Sequence, residues 1–253
     1  MRFAYSTINW GANCDIPEAL DQIRSTGWGA VELFGHSLDQ LGTPATLKRH
    51  LGSLTAATLF SGIDLPVTSE QRKVQKNRID FAAEIGASEY GLVGGGRLRY
   101  RPPTQAEYAE LAAFCEELAA FGSERGVTVS YHPHVGCTIE TSAEIDLLLD
   151  QTDILRLCLD ASHISLVDED PLTVIDQYWD RLGYIHLKDW GRGKFQELGR
   201  GTINIDFPRI LSHLVERDFR NWVVLEQSQS DDSPAESARI NADYLQGLGY
   251  EIG

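Results

Sequence analysis

The sequence predicts an α/β fold, an eightfold β/α barrel built by residues 1–253 as a single domain, and three observations point there. Short apolar runs alternate with amphipathic segments along the whole chain. Eight such strand-then-helix units can be traced, the count that closes a barrel. Several apolar runs also end in a carboxylate or an imidazole, as expected if strand ends converge on one rim. An open, doubly wound sheet is the rival arrangement, and the regularity of the units favours closure. A chain of 253 residues is long enough to fill such a barrel as one domain.

The strands are expected at 2–9, 30–34, 55–61, 88–93, 127–132, 155–160, 184–188 and 222–227. Helices are expected at 15–26, 42–53, 69–85, 104–125, 141–151, 171–181, 206–217 and 234–247. Local signals mark several ends. Thr104 stands three residues before Glu107, the spacing of a capping box, and Gly86 and Gly126 stand where helices should stop. Asp206-Phe-Pro208 opens another helix, with proline tolerated in its first turn. Gly94-Gly95-Gly96, followed by Arg97, Arg99 and Arg101, reads either as a substrate-facing loop carrying a cation or as a plain turn after the fourth strand. No G-x-G-x-x-G follows the first strand, so a dinucleotide site is not supported.

Composition narrows the function. With 42% hydrophobic and 23% charged residues, nothing suggests disorder. The net charge of -15 disfavours nucleic acid and anionic membrane surfaces as partners, because both are bound through clustered Lys and Arg. The first residues lack the pattern of a signal peptide, and no window has the ~20 apolar residues of a membrane span, so a cytoplasmic location is expected. Cys14, Cys115, Cys137 and Cys158 form no C-x-x-C pair. Cys115 and Cys158 are expected to be buried thiols, and Cys137 is given no chemical role.

Chemistry in such a barrel belongs at the C-terminal ends of the strands. His36, His132, His134, His163 and His186 fall at or just past expected strand ends, whereas His50 and His213 fall inside helices. His186 alternates with Ile185 and Leu187 in an apolar strand, where an inward imidazole needs a partner. Asp160 ends one apolar run and Glu226 another, and neither carboxylate can be buried alone. A basic side chain is one way to neutralise them. A shared divalent ion is the other, and oxygen ligands with an imidazole favour Mn²⁺, Mg²⁺ or Co²⁺ over a thiolate-type zinc site.

At Asp160-Ala-Ser-His163, His186-Leu-Lys-Asp189, Glu197-Leu-Gly-Arg-Gly201 with Ile205-Asp-Phe-Pro208, and Val224-Leu-Glu226, the chain resembles the xylose isomerase-like TIM barrels. That superfamily includes ketose 3-epimerases, hydroxypyruvate isomerase, inosose dehydratase and endonuclease IV, and the resemblance spans nearly the whole chain. It implies Asp160, His186 and Glu226 as three of four metal ligands. The fourth in the family is a Glu at the end of strand 5. Here that stretch reads Tyr131-His-Pro-His134, with Glu140 six residues beyond. The arrangement H-x-H-x-G-x-x-I-E resembles the inosose dehydratase branch, so Glu140 is expected as the fourth ligand, with His132 as the alternative.

The resemblance further implies a divalent metal cofactor, Mn²⁺ first, with Mg²⁺, Co²⁺ or Zn²⁺ also suitable. It implies proton abstraction next to the carbonyl of a sugar or keto-polyol, ending in isomerisation, epimerisation or dehydration. Glu140 and Glu226 are expected as the acid–base pair, with His163 and Lys188 orienting or protonating oxygens. Glu32, His36, His132, His134, Asp189 and Arg200 are expected to face the substrate. Lys188 and Asp189 have a second reading as an ion pair at the rim. The competing functions are an endonuclease IV-like nuclease, which the charge disfavours, and a sugar-binding subunit without catalysis. The loops at 94–103 and 190–198 would suit a homodimer contact.

Overall fold

A computed structural model describes residues 1–34, 38–97, 100–228 and 230–253. The expectations for His36 and Arg99 lie outside the described residues. The chain begins β1 (Arg2–Ser6), α1 (Ile16–Ser25), β2 (Ala30–Phe34), α2 (Leu38–Leu41), α3 (Pro44–Leu51), β3 (Thr55–Asp64), α4 (Ser69–Ile85), β4 (Glu89–Gly95) and α5 (Gln105–Ser123). It continues β5 (Thr128–Tyr131), α6 (Ser142–Leu149), β6 (Arg156–Asp160), α7 (Ala161–Leu166), α8 (Pro171–Gln177) and β7 (Leu182–Leu187). A hairpin of β8 (Asp189–Gly191) and β9 (Lys194–Gln196) precedes α9 (Phe207–Glu216), β10 (Trp222–Leu225) and α10 (Pro234–Gly247). The parallel strands close in the order β1-β10-β7-β6-β5-β4-β3-β2, an (β/α)8 barrel with helices outside.

Two cores result. The outer one lies between sheet and helices, and α9 shows how the sequence makes it. Phe207, Ile210, Leu211 and Leu214 recur at helical spacing and are buried, while the Asp206 side chain accepts from Arg209 N and Pro208 sits in the first turn. Each such buried side chain contributes about 1.5–3 kcal/mol. The inner core is small, formed by Ala4, Ala30, Ala57, Phe60, Cys158, Tyr184, Trp222 and Val224. Phe60 and Tyr184 both fit because residue 91 is glycine, where any Cβ would overlap the Phe60 ring and the Tyr184 hydroxyl.

The departures from expectation have local causes. β1 stops at Ser6, whose hydroxyl accepts from Ile8 N and starts a 3-10 turn over Thr7–Trp10. The helix expected at 42–53 is α3, begun by Thr43 as cap and Pro44, with the separate turn α2 before it. A short helix, α7, starts directly at Asp160, and α8 ends at Gln177 before a 3-10 turn. Among the described residues, no helix is long and apolar enough to cross a membrane.

Candidate active site

The strand register brings the polar strand ends together. Asp160 pairs with His186 across β6 and β7, and His186 with Val224 across β7 and β10. Two residues further along each strand, on the same inward face, Lys188 and Glu226 meet one layer higher. Glu226 N donates to Leu187 O at 3.2 Å, carrying the ladder just past β10. Glu32 is in register with Thr58, whose hydroxyl donates to Glu32 Oε2 at 2.6 Å. Asp160 caps α7, its Oδ1 accepting from Ser162 N at 2.8 Å and His163 N at 3.2 Å. The cap starts a turn that carries His163 against the strand 5 histidines, its ring centroid 5.4 Å from His132 and 3.7 Å from His134.

At the centre, His186 Nδ1 lies 2.8 Å from Glu226 Oε2 and Nε2 lies 3.0 Å from Glu32 Oε2. Burial opposes a charge on this ring, but Cys158, Glu32 and Glu226 hold its pKa well above the ordinary value. Lys188 is fully enclosed, with Nζ 2.9 Å from Glu226 Oε2 and 3.2 Å from Asp160 Oδ2. Burial would lower its pKa, and the two carboxylates raise it instead. Burial likewise works against ionised Glu226, yet Lys188 and His186 keep its carboxyl well below the usual range. His132 and His163 are pushed well below the usual imidazole value by burial first, then by His186 for the one and Lys188 for the other. Burial followed by Lys188 lowers His134 too. The site thus sets neutral imidazoles beside a compensated network of charges.

The donors fit a divalent ion. One ligand atom from each of His132, Asp160, His186 and Glu226 lies within 4.8 Å of the others, and all four residues are buried. His132 Nδ1 faces Cys158 O at 3.0 Å, so Nδ1 carries the proton and the Nε2 lone pair, which has no hydrogen-bond partner, faces inward. Glu32 Oε1 is also buried without a partner. Orphaned acceptors are costly unless a cation or another group takes them up. Glu32 holds His186 Nε2, which leaves Nδ1, beside Glu226, as the nitrogen available to an ion once its proton departs. Two carboxylates and two imidazoles suit a borderline divalent ion.

Glu140, expected as the fourth ligand, is directed elsewhere and is not part of this group. Its Oε1 accepts from Gly136 N at 2.5 Å and pairs with Arg97 Nε at 3.2 Å. The cause lies in α6: Thr141 and Glu144 form its capping box, so Glu140 stands just before the N-cap with its N–H donating to Glu144 at 2.8 Å, and Arg97 holds Glu140 and Glu144 there. His132, the alternative, stands with Asp160, His186 and Glu226.

Other candidates divide similarly. His163, Lys188, Glu32 and His134 line the same cluster. Asp189 does not pair with Lys188 and turns to the next loop, accepting from Gly199 N at 3.0 Å and Gly201 N at 2.9 Å. Arg200 is exposed and pairs with Asp232 at 3.2 Å. Arg97 ties the glycine loop to the loop after β5, and Arg101 pairs with Glu107, so both cations have structural partners. Sequence reasoning missed Thr58, which orients Glu32, and Phe195, whose ring lies 4.3 Å from Lys188 Nζ and 5.3 Å from the His163 ring. An aromatic in the segment after the Lys188-Asp189 pair was the available signal, but its placement needs the β8–β9 hairpin.

Comparison with known proteins gives the family of the chain. The sequence profile described as xylose isomerase-like TIM barrel matches residues 20–248. The chain is 26% identical to an inosose dehydratase of Geobacillus kaustophilus, covering 99% of this chain and 96% of that one. It is 30% identical to an inosose dehydratase of Lacticaseibacillus casei, covering 88% of each. Among solved structures, an L-ribulose 3-epimerase superposes with a TM-score of 0.82 at 18% identity, over 98% of this chain and 94% of that one. The IOLI protein with a bound zinc atom superposes with a TM-score of 0.80 at 14% identity, over 100% and 99%. Those two likenesses speak for the fold alone. The profile match and the dehydratase relatives go further, and the chain belongs to the xylose isomerase-like TIM barrel family, in the branch that holds the inosose dehydratases.

Proposed function

We propose that this protein is a divalent-metal-dependent enzyme that removes the proton next to the carbonyl of a sugar or keto-polyol and, as in inosose dehydratase, expels a β-hydroxyl as water. The observation that carries the reading is the convergence of His132, Asp160, His186 and Glu226 at the C-terminal mouth, with Lys188 and His163 beside them. These four would hold the ion. When bound, it supplies a Lewis acid that polarises the substrate carbonyl.

The chain's own groups do the rest. Glu226 meets His186 and Lys188 through Oε2, which leaves Oε1 as the oxygen that takes the substrate proton. Lys188 and His186 keep that carboxylate ionised before the substrate arrives. The proton taken by Glu226 is passed to the departing hydroxyl, which leaves as water, and His163, neutral and with both ring nitrogens unpartnered, orients that hydroxyl by a hydrogen bond from its N–H. Phe195 covers Lys188 and His163, keeping water from the proton transfers. The -15 charge and the four free cysteines support a cytoplasmic enzyme acting on a small molecule rather than on DNA.

The test is to incubate Mn²⁺-loaded protein in deuterated water with a panel of ketoses and keto-inositols, following mass. Loss of water from a keto-inositol is the expected result. Deuterium uptake without mass loss would move the assignment to isomerase or epimerase. Neither change with any substrate would overturn proton chemistry altogether.

A further inference from the structure

The cluster holds a second set of donors that the proposed reaction does not require as ligands. His132, His134 and His163 each present a ring nitrogen within 4.8 Å of the other two. His134 Nδ1 lies 2.6 Å from Val135 O, and His132 Nδ1 3.0 Å from Cys158 O, so each ring has its proton fixed on a backbone carbonyl and its Nε2 lone pair free to coordinate. A carbonyl gripping the far N–H is how proteins orient imidazole ligands. His163 is 2% exposed, and neither of its nitrogens has a hydrogen-bond partner. A buried imidazole with both nitrogens unmet is unfavourable unless some group completes it.

The acids nearby are engaged with other partners. Asp160 Oδ1 accepts from two α7 amides while Oδ2 faces Lys188, and Glu226 Oε2 faces Lys188 and His186. The trio therefore offers nitrogen alone, a softer donor set than the adjoining carboxylate site.

We propose that His132, His134 and His163 form a second cation position, selective for ions such as Cu²⁺ or Zn²⁺, that competes with the carboxylate position for the single lone pair of His132. With Nδ1 committed to Cys158 O, His132 can serve one ion at a time. A copper or zinc ion on the trio withdraws a ligand from the position formed with Asp160, His186 and Glu226, so it weakens the hold on Mn²⁺ without entering that position.

Electron paramagnetic resonance reads both ions in the full-length wild type. Titrating Cu²⁺ alone should give a one-equivalent signal with hyperfine splitting from several imidazole nitrogens. Titrating it into Mn²⁺-loaded protein should release the free Mn²⁺ signal. His163→Asn and, at the less buried position, His134→Gln should weaken Cu²⁺ by about tenfold or more while leaving Mn²⁺ affinity nearly unchanged. Asp160→Asn should do the reverse, and unfolding midpoints establish that each variant is folded. Cu²⁺ affinity that survives both histidine changes but falls in Asp160→Asn would overturn the second position. Mn²⁺ binding indifferent to Asp160→Asn would instead count against the carboxylate site of the proposed function, leaving the histidine trio standing.

Discussion

Glu89 shows at the scale of one residue what burial does at the end of the barrel opposite the site. It opens β4, is 2% exposed, and its Oε1 accepts from Asn221 Nδ2 at 2.7 Å while Oε2 has no partner. Burial raises its pKa to about 7, with Asn221, Arg2 and Arg156 only partly opposing. A carboxyl raised on folding binds its proton more tightly in the native state. Its contribution is complete below the unfolded value near 4.5 and is lost as pH climbs through about 7. Glu89→Gln keeps the Asn221 bond and removes the titration. The wild type should therefore lose about 2–3 kcal/mol relative to this variant between pH 5 and pH 8 in urea unfolding. A gap that stays constant with pH would refute this. The same residue marks a limit of sequence reading: the strand expected at 88–93 carries no sign of Glu89's burial, which the closed floor of the barrel alone brings about.

At the scale of the element, the segment from β8 to Gly201 is the cover of the site, and Asp189 holds it. The carboxylate accepts from Trp190 N at 2.8 Å as well as from Gly199 and Gly201. Asp189→Ala should leave three amides without that acceptor and cost about 1–3 kcal/mol locally. Hydrogen exchange at Gly199 and Gly201 should then speed by about tenfold or more, with the strands of the barrel unaffected. Unchanged exchange at those glycines would show the loop to be held otherwise. The helices and strands were largely readable because their apolar spacing repeats. The hairpin and α7 were not, since each is only a few residues long and forms around the Asp189 and Asp160 carboxylates. Glu140 is turned to other partners for a related reason. Its position in the sequence suits a returning ligand, but the α6 capping box and Arg97 take hold of it first.

At the scale of the whole molecule, an ion bound only by the native chain adds to its stability by mass action. Mn²⁺ at 100 times its dissociation constant should add about 2.7 kcal/mol, or roughly 5–10 °C in calorimetry for a chain of this size. Glu226→Gln should lose most of that gain. An equal gain in the variant would place the ion elsewhere. The sequence by itself determined the barrel, because eight repeats of strand and helix periodicity leave few other ways to bury so many apolar faces. It also determined that Asp160, His186 and Glu226 stand at strand ends, since strand phase fixes which side chains point inward. Tertiary structure alone decided which residue joins them, that Lys188 bridges two of them, and that three histidines meet beside them. Those facts depend on register between strands, on helix caps and on loop closure, which are distances across the barrel and leave no periodic trace along the chain.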